Sequence, residues 1–392
     1  MGGRYCYSAF FCSIVLATFS AGCVSMKPPS QEISQPIVIA HRGASGYLPD
    51  HTLAAYELAI DLGADFIEPD LVSTKDGYLI ARHELNLIAT TDVASCAEFA
   101  ERKRKARVDG VDEEGFFAGD FTLAEIKTLG AVQQFPERDP SFNGKFRVPI
   151  FAEIIELAKR KSKEKGRVIG IYPETKHPTY HRALGLPLEG RLIATLKTAN
   201  WQHRDAPVFI QSFEPSSLRY LREHIQVKQV QLIMASGVAA DGTLEFNPPY
   251  GRPFDWTVSG ETRTFRDLVT PQGLAEIKTY ADGIGVWKPF IVSAGTDVTG
   301  PAAFNEANRK LVSPSQLIDD AHRAGLVVHA WTFRNEPHRL AADYKGNPIS
   351  EYLKFFQLGV DGVFSDFSDT AVTARRIFRL QRDTNAKFGS EQ

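Results

Sequence analysis

The feature of this chain that most constrains its fold is a repeated alternation of short β-rich runs with helical patterns. Eight runs of apolar and β-branched residues recur along the 392 residues, and most precede a stretch with helical periodicity. They lie at residues 37–40, 66–72, 168–172, 208–212, 231–234, 283–287, 326–331 and 362–365. Strands that alternate with helices form parallel sheets, and eight such units favour a closed (β/α)8 TIM barrel over an open doubly wound sheet.

One further β-rich run, residues 78–83, does not fit the parallel series. Only the five residues STKDG separate it from the run that ends at residue 72, which is too short for a crossover helix. Asp76-Gly77 is a favoured pair for a two-residue type I′ turn. A β-hairpin built on that turn would place His83 opposite Asp70.

Two segments are too long to be simple connections. Residues 86–148 are rich in phenylalanine and charged residues, and we predict an inserted subdomain over one face of the barrel. Residues 236–279 carry the sequence FNPPYGRPFDW, and we predict a second, lid-like insertion. Packed decoration without a direct role is the alternative for both. The barrel itself is predicted to span residues 36–382, with a tail at 383–392.

The N-terminus has the pattern of an export signal. Arg4 precedes an uncharged apolar run that is followed by small residues, so we predict a signal peptide over residues 1–22 and a flexible tether over 23–35. The residues SAGC at 20–23 resemble a bacterial lipoprotein cleavage box. Cys23 is therefore a candidate for lipidation and for a membrane tether, and plain signal cleavage after residue 22 is the alternative. Either reading predicts an exported protein, in the bacterial periplasm or anchored to a membrane.

The charge balance gives no sign of a polyanionic partner. The chain has 45 basic and 47 acidic residues, and this balance does not create the field that attracts nucleic acid. The sequence also lacks the HExxH, GxSxG, P-loop and CxxC motifs, which excludes the chemistry of those sites. It gives no indication of the oligomeric state.

Three carboxylates follow two of the predicted strands. Glu68 and Asp70 end the second run, and Glu174 follows the third. Because the carboxyl ends of parallel strands meet at one mouth of a barrel, we expect these side chains to converge. Crowded carboxylates repel unless a cation intervenes, and three of them offer an all-oxygen site for one Ca2+ or Mg2+ ion. A salt-bridge network with Arg42 and Lys176 is the alternative.

Two histidines are candidates for acid–base catalysis at the same mouth. His41 follows the first strand and His83 follows the hairpin, and histidine is the side chain that titrates near neutral pH. Arg42 offers a fork of donors suited to phosphate, and Lys176 supplies a second positive charge. Two other residues on these strands, predicted to line the mouth, are Gln211 and Trp331.

These residues belong to sequence blocks that resemble those of the glycerophosphodiester phosphodiesterases, in particular the periplasmic type. The blocks AHRGASGYLPDHTLAAY, GADFIEPDLVSTKDGYLIARHE, YPETK, AWTFRNE and GVDGVFSDFSD follow the family's order between residues 37 and 378. The resemblance implies a metal-dependent TIM-barrel enzyme. Such an enzyme hydrolyses deacylated phospholipids, for example glycerophosphocholine or glycerophosphoethanolamine, to glycerol 3-phosphate and an alcohol.

The resemblance also implies a role for individual residues. In such enzymes the glycerol 2-hydroxyl attacks phosphorus, the head-group alcohol leaves, and a cyclic phosphate is then hydrolysed. The implied roles are acid and base for His41 and His83, metal ligands for Glu68, Asp70 and Glu174, and phosphate contacts for Arg42 and Lys176.

The chain departs from the family pattern at two positions. Asp50 stands where the family usually has Glu, and Glu84 stands where it usually has Asp. Each change keeps the charge and moves the carboxylate by one methylene group. We expect altered tuning rather than loss of activity.

Two other functions are compatible with the sequence. One is a phospholipase D-like lyase that acts on intact lipids and leaves a cyclic phosphate. The other, from a different class, is a non-catalytic binding or adhesion lipoprotein that has kept the barrel.

Overall fold

The computed structural model describes residues 1–3 and 35–389. The predicted signal peptide beyond residue 3, the lipidation candidate Cys23 and the tether up to residue 34 lie outside the described residues. Export and lipidation therefore stay predictions. Within the described ranges, no helix combines the length and the apolar character needed to cross a membrane.

The described chain alternates strands and helices over most of its length. The strands are β1 (Ile37–His41), β2 (Phe66–Glu68), β3 (Asp70–Ser73), β4 (Leu79–Ala81), β5 (Arg104–Val108), β6 (Val111–Gly115), β7 (Gly170–Ile171), β8 (Glu174–Thr175), β9 (Phe209–Ser212), β10 (Lys228–Ile233), β11 (Gly237–Val238), β12 (Leu244–Glu245), β13 (Gly283–Trp287), β14 (Ala294–Gly295), β15 (Lys310–Leu311), β16 (Val327–Phe333) and β17 (Gly362–Ser365). The α-helices are α1 (Leu53–Asp61), α2 (Leu123–Ile126), α3 (Phe151–Lys165), α4 (Pro178–Ala183), α5 (Glu189–Thr198), α6 (Pro215–His224), α7 (Phe254–Ser259), α8 (Phe265–Leu268), α9 (Pro271–Lys278), α10 (Leu317–Arg323), α11 (Pro348–Leu358) and α12 (Ser368–Gly389).

The main sheet closes into a barrel of eight parallel strand positions, or staves, two of which are formed by two short strands each. Pro69 separates β2 from β3, because proline has no N–H group for the ladder, and Pro173 interrupts β7 and β8 in the same way. Each of these pairs is therefore one stave. β2 pairs with β7 and β3 pairs with β8, which joins the two ends of the sheet, and β1 pairs with β17. The predicted TIM barrel is thus confirmed.

An aromatic layer fills the barrel lumen beneath its mouth. Tyr172, Phe209 and Phe364 are among the buried residues of this layer, and the rings of Tyr172 and Phe209 stack with centroids 5.1 Å apart. The Tyr172 hydroxyl also forms a 2.7 Å hydrogen bond with the imidazole of His329. This histidine therefore belongs to the packed interior. These packed side chains close the barrel beneath the mouth and form its floor.

A hairpin follows the second stave as predicted, but its register differs from the prediction by one residue. The antiparallel pair β3–β4 places Leu71 opposite Ala81, and the next N–H along, that of Arg82, donates to the carbonyl of Asp70 at 3.0 Å. The prediction that His83 stands opposite Asp70 is therefore wrong. β4 ends at Ala81, and His83 lies on the bend that follows.

The register differs because the turn has three residues rather than two. The N–H of Thr74 donates to the carbonyl of Tyr78 at 3.0 Å, and Gly77 has a positive φ of 87°. The Thr74 hydroxyl donates to Asp76 at 2.7 Å and accepts the N–H of Tyr78 at 2.9 Å. Those side-chain bonds close the wider turn in place of the predicted type I′ turn.

Residues 86–148 pack on this hairpin with a hydrophobic cluster of their own. The cluster contains Phe117 and Phe121 and shares Val72 and Ile80 with the barrel. The segment also carries the antiparallel hairpin β5–β6, which extends beyond the cluster. The second predicted insertion holds β11, β12, α7 and α8, and its last helix, α9, packs into the main core.

Arg82 ties the start of the first insertion to the loop after β1. It is fully buried, and its guanidinium donates to the backbone carbonyls of Asp50 (2.7 Å), His51 (3.2 Å) and Thr90 (3.0 Å). It also lies 3.5 Å from the buried carboxylate of Asp50. Arg82 therefore holds together three segments that surround the barrel mouth.

We expect the substitution Arg82→Met to lower the free energy of unfolding by about 3–5 kcal/mol, because it removes one of the two arginines beside the buried carboxylate of Asp50 and the donor to three backbone carbonyl groups. Chemical denaturation followed by circular dichroism measures the change. Arg107→Met removes an exposed ion pair with Asp112 and is the matched control, which should unfold like the parent. Equal stability of the Arg82→Met protein and the parent would contradict the structural role.

Candidate active site at the barrel mouth

On four of the strands, a polar side chain at the mouth follows a residue of the buried layer by two positions. Residues two apart on a strand point to the same face, so each strand contributes one residue to the floor and the next to the site. The pairs are Ile39 and His41, Phe66 and Glu68, Tyr172 and Glu174, and Phe209 and Gln211. The strand registers place His41 beside Glu68, Asp70 beside Glu174, and Glu174 beside Gln211.

Three carboxylates form a compact buried cluster above this floor. Glu68, Asp70 and Glu174 are 1%, 1% and 6% exposed, and one oxygen of each lies within 4.8 Å of the others. Glu68 accepts hydrogen bonds from the side-chain amide of Gln211 and the backbone N–H of Arg42, both at 2.9 Å.

Asp70 has one oxygen that is satisfied and one that is not. His51 contacts Asp70 Oδ2 at 2.9 Å, whereas Asp70 Oδ1 is buried without a hydrogen-bond partner in the described chain. A buried carboxylate oxygen without a partner, beside two other carboxylates, fits the ligand chemistry of a hard divalent cation.

The charge state of the cluster reflects its burial. Burial and the neighbouring carboxylates raise the pKa of Glu68 well above its usual range, and burial with the Asp70 charge raises the pKa of Glu174 to about 8. Burial would also raise the pKa of Asp70, but Lys176 and His51 outweigh it and hold that pKa well below its usual range. Without a cation, the three groups do not all carry a charge at neutral pH.

Two cationic side chains flank the cluster. Arg42 Nε lies 3.5 Å from Asp70 Oδ2, and Lys176 Nζ lies 3.2 Å from Glu174 Oε1. Both side chains are buried, and Arg42 Nε has no hydrogen-bond partner among the described residues. Arg42 and Lys176 both line the cavity at the barrel mouth, so each places a positive charge beside an anion bound there.

His41 is held by a carboxylate from the last strand. Its Nδ1 lies 2.6 Å from Oδ1 of Asp366, which follows β17. Burial would raise the pKa of Asp366, but Arg334 and His41 outweigh it, so the carboxylate is charged and accepts a hydrogen bond from Nδ1–H of His41. Burial and the Arg42 guanidinium lower the pKa of His41 to about 4. The ring is therefore neutral at pH 7 and its Nε2 is free to accept a proton.

His83 has a comparable arrangement on the other side of the site. Its Nδ1 pairs with the carboxylate of Glu84, and burial together with Arg42 and Lys176 lowers the pKa of His83 to about 4. The departures from the family pattern thus contact site residues directly. Glu84 holds His83, and Asp50 lies 3.6 Å from Arg42.

A cavity of about 160 Å³ collects the residues proposed from the sequence. Its lining includes all nine of those that the structure describes, namely His41, Arg42, Glu68, Asp70, His83, Glu174, Lys176, Gln211 and Trp331. A second cavity, of about 300 Å³, adjoins it and shares His83, Glu174, Lys176, Phe213 and Trp331. The larger cavity extends outwards between the two insertions.

Four residues without a role predicted from the sequence hold the site in place. His51 supports Asp70, and Asp366 orients His41. Asp366 is in turn held by Arg138 at 2.6 Å and Arg334 at 2.9 Å. His51, Arg334 and Asp366 lie in the sequence blocks that resemble the family, so their position near the site could have been suspected. Arg138 comes from the first insertion, where no local pattern indicated it.

Solved structures share this fold. A phosphodiesterase from Oleispira antarctica, determined in complex with the product sn-glycerol-3-phosphate, aligns with a TM-score of 0.52 at 20% identity, covering 87% of this chain and 96% of that one. A glycerophosphodiester phosphodiesterase from Agrobacterium tumefaciens aligns with a TM-score of 0.50 at 17% identity, covering 86% and 99%. At these identities the likeness supports the fold alone.

Sequence comparison is more specific. The model of the glycerophosphoryl diester phosphodiesterase family matches residues 41–370. The glycerophosphodiester phosphodiesterase GDPD6 of Arabidopsis thaliana is 38% identical over 357 residues, covering 87% of this chain and 86% of the relative. A glycerophosphodiester phosphodiesterase of Haemophilus influenzae is 30% identical over 384 residues, covering 92% and 96%. With a family match over most of the barrel, the chain belongs to the glycerophosphoryl diester phosphodiesterase family and is an enzyme rather than a non-catalytic binding protein.

Proposed function

We propose that the chain hydrolyses deacylated glycerophosphodiesters, such as glycerophosphocholine or glycerophosphoethanolamine, to glycerol 3-phosphate and an alcohol. One observation carries the proposal. A single cavity holds three buried carboxylates, two buried cations and two histidines whose rings are each paired with a carboxylate. This set matches the needs of phosphodiester cleavage, namely neutralisation of phosphoryl charge and two proton transfers.

Glu68, Asp70 and Glu174 would hold one divalent cation, Ca2+ or Mg2+. The support is the convergence of one oxygen from each residue within 4.8 Å and the unpartnered Oδ1 of Asp70. When bound, such an ion offsets the negative charge that develops on phosphoryl oxygens. Arg42 and Lys176 line the same cavity and contribute positive charge from this chain for the same anion.

The two cavities suggest different roles for the two histidines. His83 lines both cavities, whereas His41 lines only the smaller one. If the glycerol phosphate part occupies the smaller cavity and the head group the larger one, His83 lies at the bond that breaks. We therefore assign His41 as the base that takes the proton of the glycerol 2-hydroxyl, and His83 as the acid that protonates the leaving alcohol.

The proton balance of this assignment closes over two steps. In the first, the 2-oxygen bonds to phosphorus, the head-group oxygen leaves with a proton from His83, and His41 gains one. In the second, water attacks the cyclic phosphate, His83 takes its proton, and His41 returns its own to the 2-oxygen. His83 must be protonated at the start, and a bound phosphodiester anion favours that form by raising the pKa of a nearby imidazole.

We expect purified protein to release glycerol 3-phosphate from glycerophosphocholine and to leave diacyl phosphatidylcholine intact. Phosphorus NMR of the reaction mixture distinguishes glycerol 3-phosphate from a cyclic phosphate end product. Turnover of the diacyl lipid alone, with a cyclic product that accumulates, would instead support the phospholipase D-like lyase.

A divalent ion should stabilise the folded protein, because a ligand that binds only the folded state adds about 2.7 kcal/mol at a hundredfold excess over its Kd. We expect Ca2+ or Mg2+ to raise the Tm of chelator-treated protein, and the substitution Glu174→Gln to abolish that increase. The control Glu276→Gln alters a surface carboxylate that pairs with Arg219 and should keep the increase. A full increase in the Glu174→Gln protein would exclude the carboxylate cluster as the metal site.

The histidine roles can be separated with a leaving group that needs no proton. We expect His41→Ala and His83→Ala each to lower kcat/KM for glycerophosphocholine by about 10²–10⁴-fold. With the p-nitrophenyl ester of glycerol phosphate, the loss in His83→Ala should shrink markedly and the loss in His41→Ala should persist. Release of p-nitrophenolate measures both, and the reverse pattern would exchange the two roles.

A further inference from the structure

We propose that the larger cavity binds the head-group alcohol and selects alcohols that carry an ammonium group, through Asp109, Glu214 and the aromatic side chains around them. The inference rests on the proposed function, since it concerns the second half of the same substrate. The wall residues, their charges and their position relative to His83 support it.

The first insertion reaches the catalytic centre through the tip of the β5–β6 hairpin. Asp109 and Gly110 form this tip and both have positive φ, at 45° and 87°. Asp109 Oδ2 lies 2.6 Å from Nδ1 of His177, the residue that follows Lys176. The hairpin is thereby tied to the barrel mouth next to a residue of the catalytic cavity.

The second insertion closes the cavity from the opposite side. Pro249, Tyr250 and Phe254 line it, and a methyl group placed on Gly110 would lie 3.7 Å from the ring of Pro249. The two insertions therefore meet above the cavity. This gives both insertions a common role, as the walls of a pocket that adjoins the bond to be broken.

Carboxyl groups dominate the charged lining beyond the catalytic centre. Asp109 Oδ1 is buried without a hydrogen-bond partner in the described chain. Glu214 is buried, accepts hydrogen bonds from the backbone and hydroxyl groups of Thr179, and has no ion pair among the described residues. Burial raises the pKa of Glu214 to about 8, so without a compensating cation this carboxyl group is largely protonated at neutral pH. An ammonium group on the ligand would supply that compensation.

The other charged residues on this lining leave it acidic overall. Glu113 adds a third carboxyl group, and Arg252 adds one guanidinium, which donates to the backbone carbonyl of Glu261 at 2.8 Å. His177 adds an imidazole that is already paired with Asp109. The lining outside the catalytic centre thus offers three carboxyl groups against one permanent cation.

Aromatic rings supply the other half of a cation site. Phe213 lies at the junction of the two cavities, with its ring 5.9 Å from that of Trp331 and 6.0 Å from that of Phe265. Tyr250 and Phe254 extend the aromatic wall outwards. Aromatic faces attract quaternary ammonium groups through their electron-rich π systems, and carboxylates nearby strengthen that attraction. Choline fits this chemistry, whereas an uncharged polyol does not.

The test compares kcat/KM for glycerophosphocholine and for the uncharged glycerophosphoglycerol. We expect the parent protein to prefer the choline substrate by about tenfold or more, which corresponds to the strength of a desolvated cation–π contact. Asp109→Asn and Glu214→Gln should each reduce that preference at least threefold, by about 0.7 kcal/mol, mainly through KM. For both variants, kcat/KM for glycerophosphoglycerol should fall less than kcat/KM for glycerophosphocholine. Asp112→Asn, an exposed substitution on the same hairpin, should keep the preference.

Inhibition of the parent protein provides a measurement that needs no variant. Choline should inhibit hydrolysis of glycerophosphoglycerol competitively, and its uncharged carbon isostere dimethylbutanol should do so at least tenfold more weakly. Equal inhibition by the two, or an equal loss on both substrates in the variants, overturns the inference. Hydrolysis of glycerophosphoglycerol without a choline preference overturns it and leaves the proposed function standing. Hydrolysis of neither substrate overturns both.

Discussion

The burial of three carboxylates at one end of a barrel is the constraint on which the rest of this structure depends. Glu68, Asp70 and Glu174 are nearly inaccessible to water, and burial of even one unpaired carboxylate costs several kcal/mol. Neighbouring side chains offset part of this free-energy cost. Arg42 and Lys176 supply charge, and His51 and Gln211 supply hydrogen bonds. The same groups that make the cluster tolerable are those that a phosphate anion would meet on entering.

The triplet His41-Arg42-Gly43 shows how closely backbone and chemistry are linked here. His41 is the last residue of β1, and Arg42, which follows it, adopts a left-handed φ of 62°. That conformation lets its backbone N–H donate to Glu68 while its side chain lies beside Asp70. Gly43 follows with φ of 89°, and a Cβ there would lie 2.7 Å from the backbone of Ala55. The end of β1 is therefore tightly packed, and each residue of the triplet is required for a different contact.

Periodicity explains why so much of the site could be predicted from the sequence. Parallel strands deliver their carboxyl ends to one mouth, so side chains far apart in the chain could be placed together without knowledge of distances. Contacts that depend on the geometry of a turn could not be predicted in this way. The hairpin register goes with the two hydrogen bonds that the Thr74 hydroxyl forms with Asp76 and Tyr78, which compete with the turn that Asp76-Gly77 favours. Arg138 reaches Asp366 across 228 residues from an insertion without regular periodicity, so no sequence pattern pointed to it.

The two positions where this chain leaves the family pattern gain meaning from the same contacts. Asp50 lies between Arg42 and Arg82, at 3.6 Å and 3.5 Å, so the length of its side chain bears on the position of the Arg42 guanidinium. Glu84 pairs with Nδ1 of His83, and its longer side chain sets the position of that ring. Neither residue supplies an oxygen to the carboxylate cluster. One departure thus acts on the side chain available to the phosphate and the other on the histidine at the junction of the two cavities. Their effect should therefore fall on the placement of Arg42 and His83 rather than on the carboxylate cluster.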